Sequence, residues 1–230
     1  MRAIYYPFEN DLENALLSVT GDAAHHLNVV RIKTDENILV MNGEGSILSA
    51  RVLSVKKNQI DFEVLKKEQH TPKHELSLAI AMPKKEAFED ILKMAVELGI
   101  NAIYPLSSEY SQNEYSASER VQRVLESALI QSNNPFFPKI YPQEELTSFL
   151  KTHQDVLVFF NSRPVHANQG AEVGKKTILV GPEGGFSPAE VGLILNYSKV
   201  SEIHLSTPIL RAPTAVASSV GYLLALEKAS

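Results

Sequence analysis

Residues 177–190 read TILVGPEGGFSPAE. The first four form a short, continuous apolar run, which is typical of a strand buried on both faces of a parallel sheet. Ser187 is followed by Pro188 and, three residues on, by Glu190, a pattern that predicts a capping box with proline at the first helical position. The stretch therefore predicts a buried strand, a glycine turn and a helix in succession.

The same alternation extends through residues 73–230, where apolar runs of strand length alternate with segments that carry a helical apolar stripe. The predicted strands are 76–82, 100–106, 156–160, 177–180 and 202–205, and the predicted helices are 86–98, 118–130, 143–151, a helix from Ser187 onward, and 214–227. Gly99 stands where a glycine commonly ends a helix. This alternation predicts an α/β domain with a parallel sheet covered by helices.

Residues 1–72 have a different pattern. Partly alternating, β-branched runs at 38–41, 46–55 and 60–65 follow one another at hairpin spacing, and Asn42–Gly45 is a turn signal. They predict a small antiparallel barrel or sheet with one helix near 23–30. The polar segment 66–75 is predicted to be the linker between this domain, 1–72, and the domain at 73–230.

The composition limits the function classes. In 230 residues, 44% are hydrophobic and 21% charged, so a globular core can form. There is no cysteine, which excludes disulfides, Cys-ligated zinc, iron–sulfur clusters and thiol catalysis. No apolar run approaches the roughly 20 residues that span a bilayer, so we expect no membrane association and a cytoplasmic location. The net charge of −5 means that nucleic acid would have to bind to a local basic patch.

Two loops after predicted strands are candidates for a site. Gly181–Gly185 could bring its backbone close to a ligand, or its glycines could be needed only for a tight turn. The loop matches neither the dinucleotide nor the P-loop phosphate motif. Arg211, in the second loop, is the only Lys, Arg, Asp or Glu between Glu202 and Glu227. It could pair with a carboxylate such as Glu183 or Glu190, or contact an anion near a helix start.

The remaining polar motifs carry weaker signals. His25 and His26 are adjacent and cannot share one helix face, so a metal pair is not expected, and we found no metal-ligand spacing elsewhere. Arg31 could contact phosphate or simply be solvated. The polar loops 110–115 and 131–135 flank one predicted helix, and each could be a plain surface turn.

Taken as a pair, GPEGGFSPAE at 181–190 and LSTPILRAPTA at 205–215 resemble the small-subunit ribosomal RNA uridine N3-methyltransferases of the SPOUT superfamily. HHLNVVR at 25–31 and KKEAFEDILKMAVELGINAIYPL at 84–106 match two further stretches of that family. The resemblance covers nearly the whole chain. It implies an N-terminal PUA-like β-barrel at 1–72 that helps to bind RNA, and a C-terminal SPOUT domain at 73–230 whose parallel sheet contains a trefoil knot.

The resemblance also implies a cofactor, partners and site residues. S-adenosyl-L-methionine would bind in a pocket at a homodimer interface, and the substrate would be a uridine in small-subunit ribosomal RNA or in the assembled small subunit. The implied cofactor-binding residues are Gly181, Pro182, Glu183, Gly184, Gly185, Leu205, Ser206, Pro208, Ile209, Leu210 and Thr214. Arg211 would stabilise the deprotonated uridine, and Glu183 would act as a base or orient Arg211. The implied RNA contacts are Arg2, His26, Arg31, Lys84 and Lys85.

The chain departs from the family pattern at five positions. Tyr110 and Asn134 stand where the family has arginine, Ile130 and Pro213 stand where it has glutamate, and Ser206 replaces a glycine. Loss of a base or phosphate contact costs about 1–3 kcal/mol. Two alternatives therefore stay open, a SPOUT methyltransferase with a different RNA target and a non-catalytic RNA-binding protein of ribosome assembly.

Overall fold

The computed structural model describes residues 2–8, 15–161 and 175–227. The chain divides into two compact units. Unit 1 comprises residues 1–72 and 126–137, and unit 2 comprises residues 73–125 and 138–230. Each unit is built around its own set of buried apolar side chains.

Unit 1 is a five-stranded, barrel-like sheet with one helix. Its elements are β1 (Arg2–Tyr5), β2 (Leu16–Thr20), α1 (Gly21–Val29), β3 (Asn37–Met41), β4 (Ser46–Val55) and β5 (Gln59–Gln69). The strand order is β1-β3-β4-β5-β2, in which β1 and β3 are parallel and the other pairs antiparallel. Alternate residues of β5, namely Ile60, Phe62 and Val64, are fully buried, which confirms the predicted small β domain.

The predicted linker at 66–75 is wrong at its beginning. β5 continues to Gln69, because Lys66 pairs with Ser49 and Gln69 with Ser46 on β4. Backbone ladder bonds hold these residues in the sheet although their side chains are polar, so the composition gave no strand signal. The sequence also gave no prediction for β1 or β2.

Residues 126–137 complete unit 1 by packing against the turn between β3 and β4. The Phe137 amide donates to the Gly43 carbonyl at 2.9 Å, and the Gly45 amide donates to the Pro135 carbonyl at 2.9 Å. A Cβ at Gly43 would lie 2.4 Å from the ring of Phe137, and one at Gly45 would lie 2.5 Å from the ring of Phe136. Both glycines have positive φ, so this turn requires glycine for conformation and for space.

Unit 2 contains a seven-stranded sheet in which every pair of neighbours is parallel. Its elements are β6 (Leu76–Ala81), α2 (Lys85–Glu97), β7 (Ala102–Ser107), α3 (Glu119–Ser132), β8 (Lys139–Ile140), β9 (Glu144–Glu145), α4 (Leu146–Thr152), β10 (Val156–Phe160), β11 (Lys176–Val180), α5 (Pro188–Leu195), β12 (Val200–Ile203) and α6 (Ala212–Glu227). The second half of α3 belongs to unit 1. In the described part of the chain no helix is long and apolar enough to cross a membrane.

The order of the main sheet is β12-β10-β11-β6-β7-β8, with β9 also paired to β7. The predicted parallel α/β domain is confirmed, and the central strands are buried along almost their whole length because helices cover the sheet. The last strand ends at Ile203, two residues before the predicted end, and α6 begins at Ala212 rather than at residue 214. The trefoil knot stays a prediction, since the connection from β10 to β11 runs through residues 162–174, outside the described ranges.

Candidate functional site

A cleft of about 590 Å³ opens where the central strands of unit 2 end. One wall is the loop after β11, residues 181–186, and the other is formed by Leu205 and residues 207–210. Further lining comes from Phe159 to Asn161 at the end of β10, from Val180, Pro188 and Val191, and from Ala212, Ala215 and Ser219 on α6. In parallel α/β sheets, ligands bind beyond the carboxyl ends of the strands, so this cleft is the candidate site.

The first wall is a tight turn. The Gly185 amide donates to the Pro182 carbonyl at 2.8 Å, and Gly185 has φ +72°, a conformation that favours glycine. A Cβ on Gly181 would lie 3.2 Å from the Phe186 ring, and a Cβ on Gly184 would lie 3.1 Å from Cβ of Tyr110. The glycines are therefore needed for the turn and for the close packing of Phe186 and Tyr110 against it.

The turn leads into α5 through the predicted capping box, which is confirmed. The Ser187 side chain accepts from the Glu190 amide, and the Glu190 carboxylate accepts from the Ser187 amide at 2.9 Å. The second oxygen of Glu190 accepts from the Glu109 amide at 2.8 Å. One side chain thus fixes the start of α5 and the loop that follows β7.

The second wall is more exposed than the first. Thr207 donates its amide to the Leu205 carbonyl at 2.7 Å, and the Arg211 carbonyl accepts from the Ala215 amide at 2.8 Å in the first turn of α6. Ile209 lines the cleft yet is 78% exposed. An apolar side chain this exposed at a ligand cleft leaves a surface that a bound molecule or a second protein chain can cover.

Polar groups at the base of the cleft were missed by the sequence reasoning. Asn161 lines the cleft and donates its side-chain amide to Glu202 at 2.8 Å, and its carbonyl lies 3.1 Å from Nδ1 of His204. Ser219 is fully buried, and its hydroxyl has no hydrogen-bond partner among the described residues. A polar residue directly after a buried strand was the available signal for Asn161, whereas Ser219 lies within an apolar helix and gave none.

Most of the residues that the family resemblance implies for the cofactor lie on the cleft. Those that line it are Gly181, Pro182, Glu183, Gly184, Gly185, Leu205, Pro208, Ile209 and Leu210, whereas Ser206 and Thr214 do not. Glu183 is exposed, and its carboxylate accepts from the Lys84 amide at 3.4 Å.

Arg211 follows the second wall directly and is exposed. Among the described residues, its guanidinium forms no ion pair with Glu183, Glu190 or another carboxylate. The pairing that the sequence left open is therefore not found in the described part of the chain. Glu190 instead uses its two oxygens for backbone amides.

The five residues considered for RNA contact fall into two groups. Lys84 and Lys85 are exposed where α2 begins, at the same end of the unit 2 sheet as the glycine turn. In unit 1, His26 is exposed on α1 and Arg31 is exposed after it. Arg2 is bound to Glu36 at 2.6 Å, so its guanidinium is already engaged.

Comparison with known families identifies the architecture. Residues 69–224 match the RNA methyltransferase domain family, and residues 19–65 match the RNA methyltransferase PUA domain. The chain belongs to this RNA methyltransferase family. The cleft accordingly lies in the RNA methyltransferase domain, and α1 to β5 form most of its PUA domain.

Three proteins that match most of this RNA methyltransferase carry a related name. It is 28% identical to ribosomal RNA small subunit methyltransferase E of Rickettsia conorii over 220 residues, which cover 90% of this chain and 89% of that protein. It is 27% identical to the protein of the same name from Aquifex aeolicus, over 94% of this chain and 97% of that one. The crystal structure of the Neisseria gonorrhoeae protein of that name, bound to S-adenosyl methionine, superimposes with a TM-score of 0.86 at 23% identity, covering 98% of both chains.

Proposed function

We propose that this RNA methyltransferase transfers a methyl group from S-adenosyl-L-methionine to N3 of a uridine in small-subunit ribosomal RNA. The observation that carries the proposal is the cleft itself, which brings the glycine turn at 181–185 and the loop at 205–210 together at the carboxyl ends of the strands. The names of the relatives support a ribosomal RNA substrate. The resemblance of the two loops to the SPOUT uridine N3-methyltransferases supports the position of the methyl group.

The residues of the cleft fit S-adenosyl-L-methionine. Its volume of about 590 Å³ is in the usual range for sites that hold small ligands. Gly181, Gly184 and Gly185 expose backbone groups that can bond adenine edges, and the leucine and proline side chains can cover the apolar parts of the ligand. The buried, unpartnered hydroxyl of Ser219 lies among the lining residues and offers a further polar group. When bound, the cofactor supplies a methyl group on a positively charged sulfur.

The protein would assist the methyl transfer through two charged side chains at the cleft, those of Arg211 and Glu183. Uridine N3 carries a proton and becomes a good nucleophile only once that proton is lost, which leaves negative charge on the ring and its carbonyl oxygens. The guanidinium of Arg211 lies beside the cleft and has no ion-pair partner among the described residues, so it can stabilise that charge through two parallel hydrogen bonds. Glu183 lines the cleft and is exposed, so its carboxylate can accept the N3 proton.

Recognition of the RNA would depend on local basic groups, because the net charge of the chain is −5. Lys84 and Lys85 are exposed near the glycine turn, and His26 and Arg31 are exposed on the PUA domain. So few cations favour a folded target whose shape contributes to recognition, as an assembled small subunit would.

We further propose that the active form is a homodimer. Helix α6 has no charged side chain between Ala212 and Leu226, and Tyr222 and Leu226 are 36% and 42% exposed. Ile209, which precedes the same helix, is a further exposed apolar residue, and a second copy could bury such side chains. Sedimentation of the purified protein tests this, since a monomer at micromolar concentration would contradict it.

The decisive experiment is transfer of labelled methyl from S-adenosyl-L-methionine to small ribosomal subunits from cells that lack this gene. We expect label at N3 of one uridine, and no label on subunits that are already modified. Label on another nucleotide, or on another RNA offered as substrate, would show that the protein is a methyltransferase with a different target. Cofactor binding in calorimetry without any label would favour a non-catalytic RNA-binding role, and absence of both would refute the proposal.

A further inference from the structure

Tyr110 lies directly against the glycine turn of the cleft. The residue is 40% exposed, and its Cβ is the atom that a Cβ on Gly184 would meet at 3.1 Å. The position of the tyrosine therefore depends on a glycine at 184. One side of the residue packs on the turn, and the rest of it is open to solvent at the edge of the site.

The loop that carries Tyr110 is held by hydrogen bonds on both sides of it. The Glu109 amide donates to Glu190 at 2.8 Å, and the Gln112 amide donates to the Met82 carbonyl at 2.9 Å. The Ser108 amide also donates to the Ser111 hydroxyl at 2.9 Å within the loop. An exposed ring on an anchored loop loses little conformational freedom when a ligand packs on it.

The charged groups that act on the Tyr110 side chain are carboxylates, so its ring suits the uncharged face of a base rather than a phosphate. Glu109 and Glu190 raise the pKa of Tyr110 above its usual value, so the phenol is neutral at physiological pH. Met82, which directly follows β6, accepts the Gln112 amide of this loop. The exposed lysines 84 and 85 come two and three residues later. An exposed aromatic residue on an anchored loop at the edge of a cleft is a surface on which proteins stack unstacked nucleotides.

We infer that Tyr110 is a stacking platform for a base of the RNA substrate at the edge of the methyl-transfer cleft. The inference rests on the proposed function for the identity of the substrate. It also gives a role to a departure from the family pattern, because an aromatic ring replaces the arginine at this position. Stacking on a ring accepts any base, so Tyr110 would contribute affinity and orientation while the shape of the subunit selects the site.

Two substitutions separate stacking from other roles. Tyr110→Leu keeps the Cβ that packs on Gly184 and an apolar side chain but removes the ring, whereas Tyr110→Phe keeps the ring and removes the hydroxyl. The affinity of each protein for unmodified small ribosomal subunits is measured by filter binding. Calorimetry with S-adenosyl-L-methionine and urea unfolding check that the cleft and the fold are intact.

We expect Tyr110→Leu to bind the subunits about tenfold or more weakly, as loss of one stacked base predicts. Tyr110→Phe should bind within about twofold of the wild type, and both variants should keep wild-type cofactor affinity. Wild-type subunit affinity in Tyr110→Leu, or an equal loss in Tyr110→Phe, would overturn the inference, as would a wild-type protein that does not bind the subunits. Because the readout is binding, a protein that binds subunits without methylating them would refute the proposed function and still decide the role of Tyr110.

Discussion

Glu190 accepts the backbone amide of Glu109, 81 positions earlier in the chain, at 2.8 Å, and with its other oxygen accepts the amide of Ser187 at 2.9 Å. The carboxylate therefore joins the helix start after the glycine turn to the loop that carries Tyr110. The positions of these two segments at the edge of the cleft therefore depend on the Glu190 side chain. The half-buried position of Glu190 limits competition from water for these two bonds.

Glu190→Ala should lower the free energy of unfolding by about 2 kcal/mol. The substitution removes the Glu190 half of the capping box, which we expect to contribute about 1 kcal/mol, and leaves the Glu109 amide without its charged partner. Urea denaturation followed by circular dichroism gives the value. Glu86→Ala is the matched control, since Glu86 is an exposed glutamate in the first turn of α2 and should change stability by less than about 0.5 kcal/mol. Equal values for the two variants would contradict the role of Glu190.

The two bonds of Glu190 differ in how far a sequence can predict them. The bond to Ser187 belongs to a motif of four neighbouring residues, and the pattern at 187–190 predicted it. The bond to Glu109 depends on where β7 lies in the sheet, and no local pattern reports that. The same limit applies to Gly43, whose requirement for glycine arises from the ring of Phe137, 94 positions later.

Gly185→Ala and Gly192→Ala should change stability in opposite directions. A Cβ would meet no atom within 4 Å at either position. Gly185 has φ +72°, so alanine there should cost about 1–2 kcal/mol of backbone strain, whereas Gly192 lies within α5, where alanine should stabilise by about 0.5–1 kcal/mol. Thermal unfolding of both variants measures this. Calorimetry should also show weaker binding of S-adenosyl-L-methionine to Gly185→Ala but not to Gly192→Ala. If Gly185→Ala were as stable as the wild type, alanine at this position would cause no backbone strain.

Prediction from sequence was most successful for the parallel sheet and for the two walls of the cleft. Continuous apolar runs such as 156–160 and 177–180 have few alternatives to a strand buried on both faces, and a loop that follows such a strand lies at the ligand-binding edge. β1 and β2 were not predicted, because their sequences, RAIY and LLSVT, mix apolar with polar residues and lack the continuous apolar run of 156–160. The contact of Tyr110 with Gly184 was not predictable either, since it joins loops 74 positions apart.

The stability of unit 2 should depend on pH through His153. This residue follows α4, its ring stacks on Phe149 with centroids 4.4 Å apart, and its Nε2 is buried without a hydrogen-bond partner in the described ranges. Burial lowers its pKa below the ordinary value of 6.5, Asp155 opposes the shift, and Lys199 adds to it. The unfolded chain therefore binds the proton more readily, and stability is retained above pH 6.5 and lost as the pH falls from 6.5 toward the folded-state pKa.

His153→Phe should remove this contribution while keeping the stack on Phe149. Urea denaturation at pH 7.5 and pH 5.5 should show a smaller loss of stability on acidification in the variant than in the wild type. The exposed His25 provides the control, and His25→Gln should lose stability as the wild type does. If His153→Phe were as acid-sensitive as the wild type, other groups would account for the pH dependence.

Substitutions of Arg211 should change the rate of methyl transfer without changing the affinity for the cofactor. It adjoins the second wall of the cleft without lining it, and among the described residues it has no carboxylate partner that would explain it as a structural ion pair. Arg211→Ala should therefore keep wild-type affinity for S-adenosyl-L-methionine. Its kcat for methylation of small subunits should fall about 100- to 1000-fold, the usual effect of removing one donor to developing negative charge.

Arg211→Lys tests whether the guanidinium geometry matters. A lysine retains the charge but cannot donate two parallel hydrogen bonds, so its kcat should fall between those of the wild type and Arg211→Ala. Arg123→Ala is the matched control, because Arg123 is an exposed arginine on α3 that forms a long ion pair with Glu119, at 3.6 Å. Its removal should leave kcat unchanged. Steady-state kinetics with labelled cofactor measures all three. An Arg211→Ala protein that binds the cofactor and methylates at the wild-type rate would show that another group stabilises the uridine anion, and one that no longer binds the cofactor would assign Arg211 to the pocket instead.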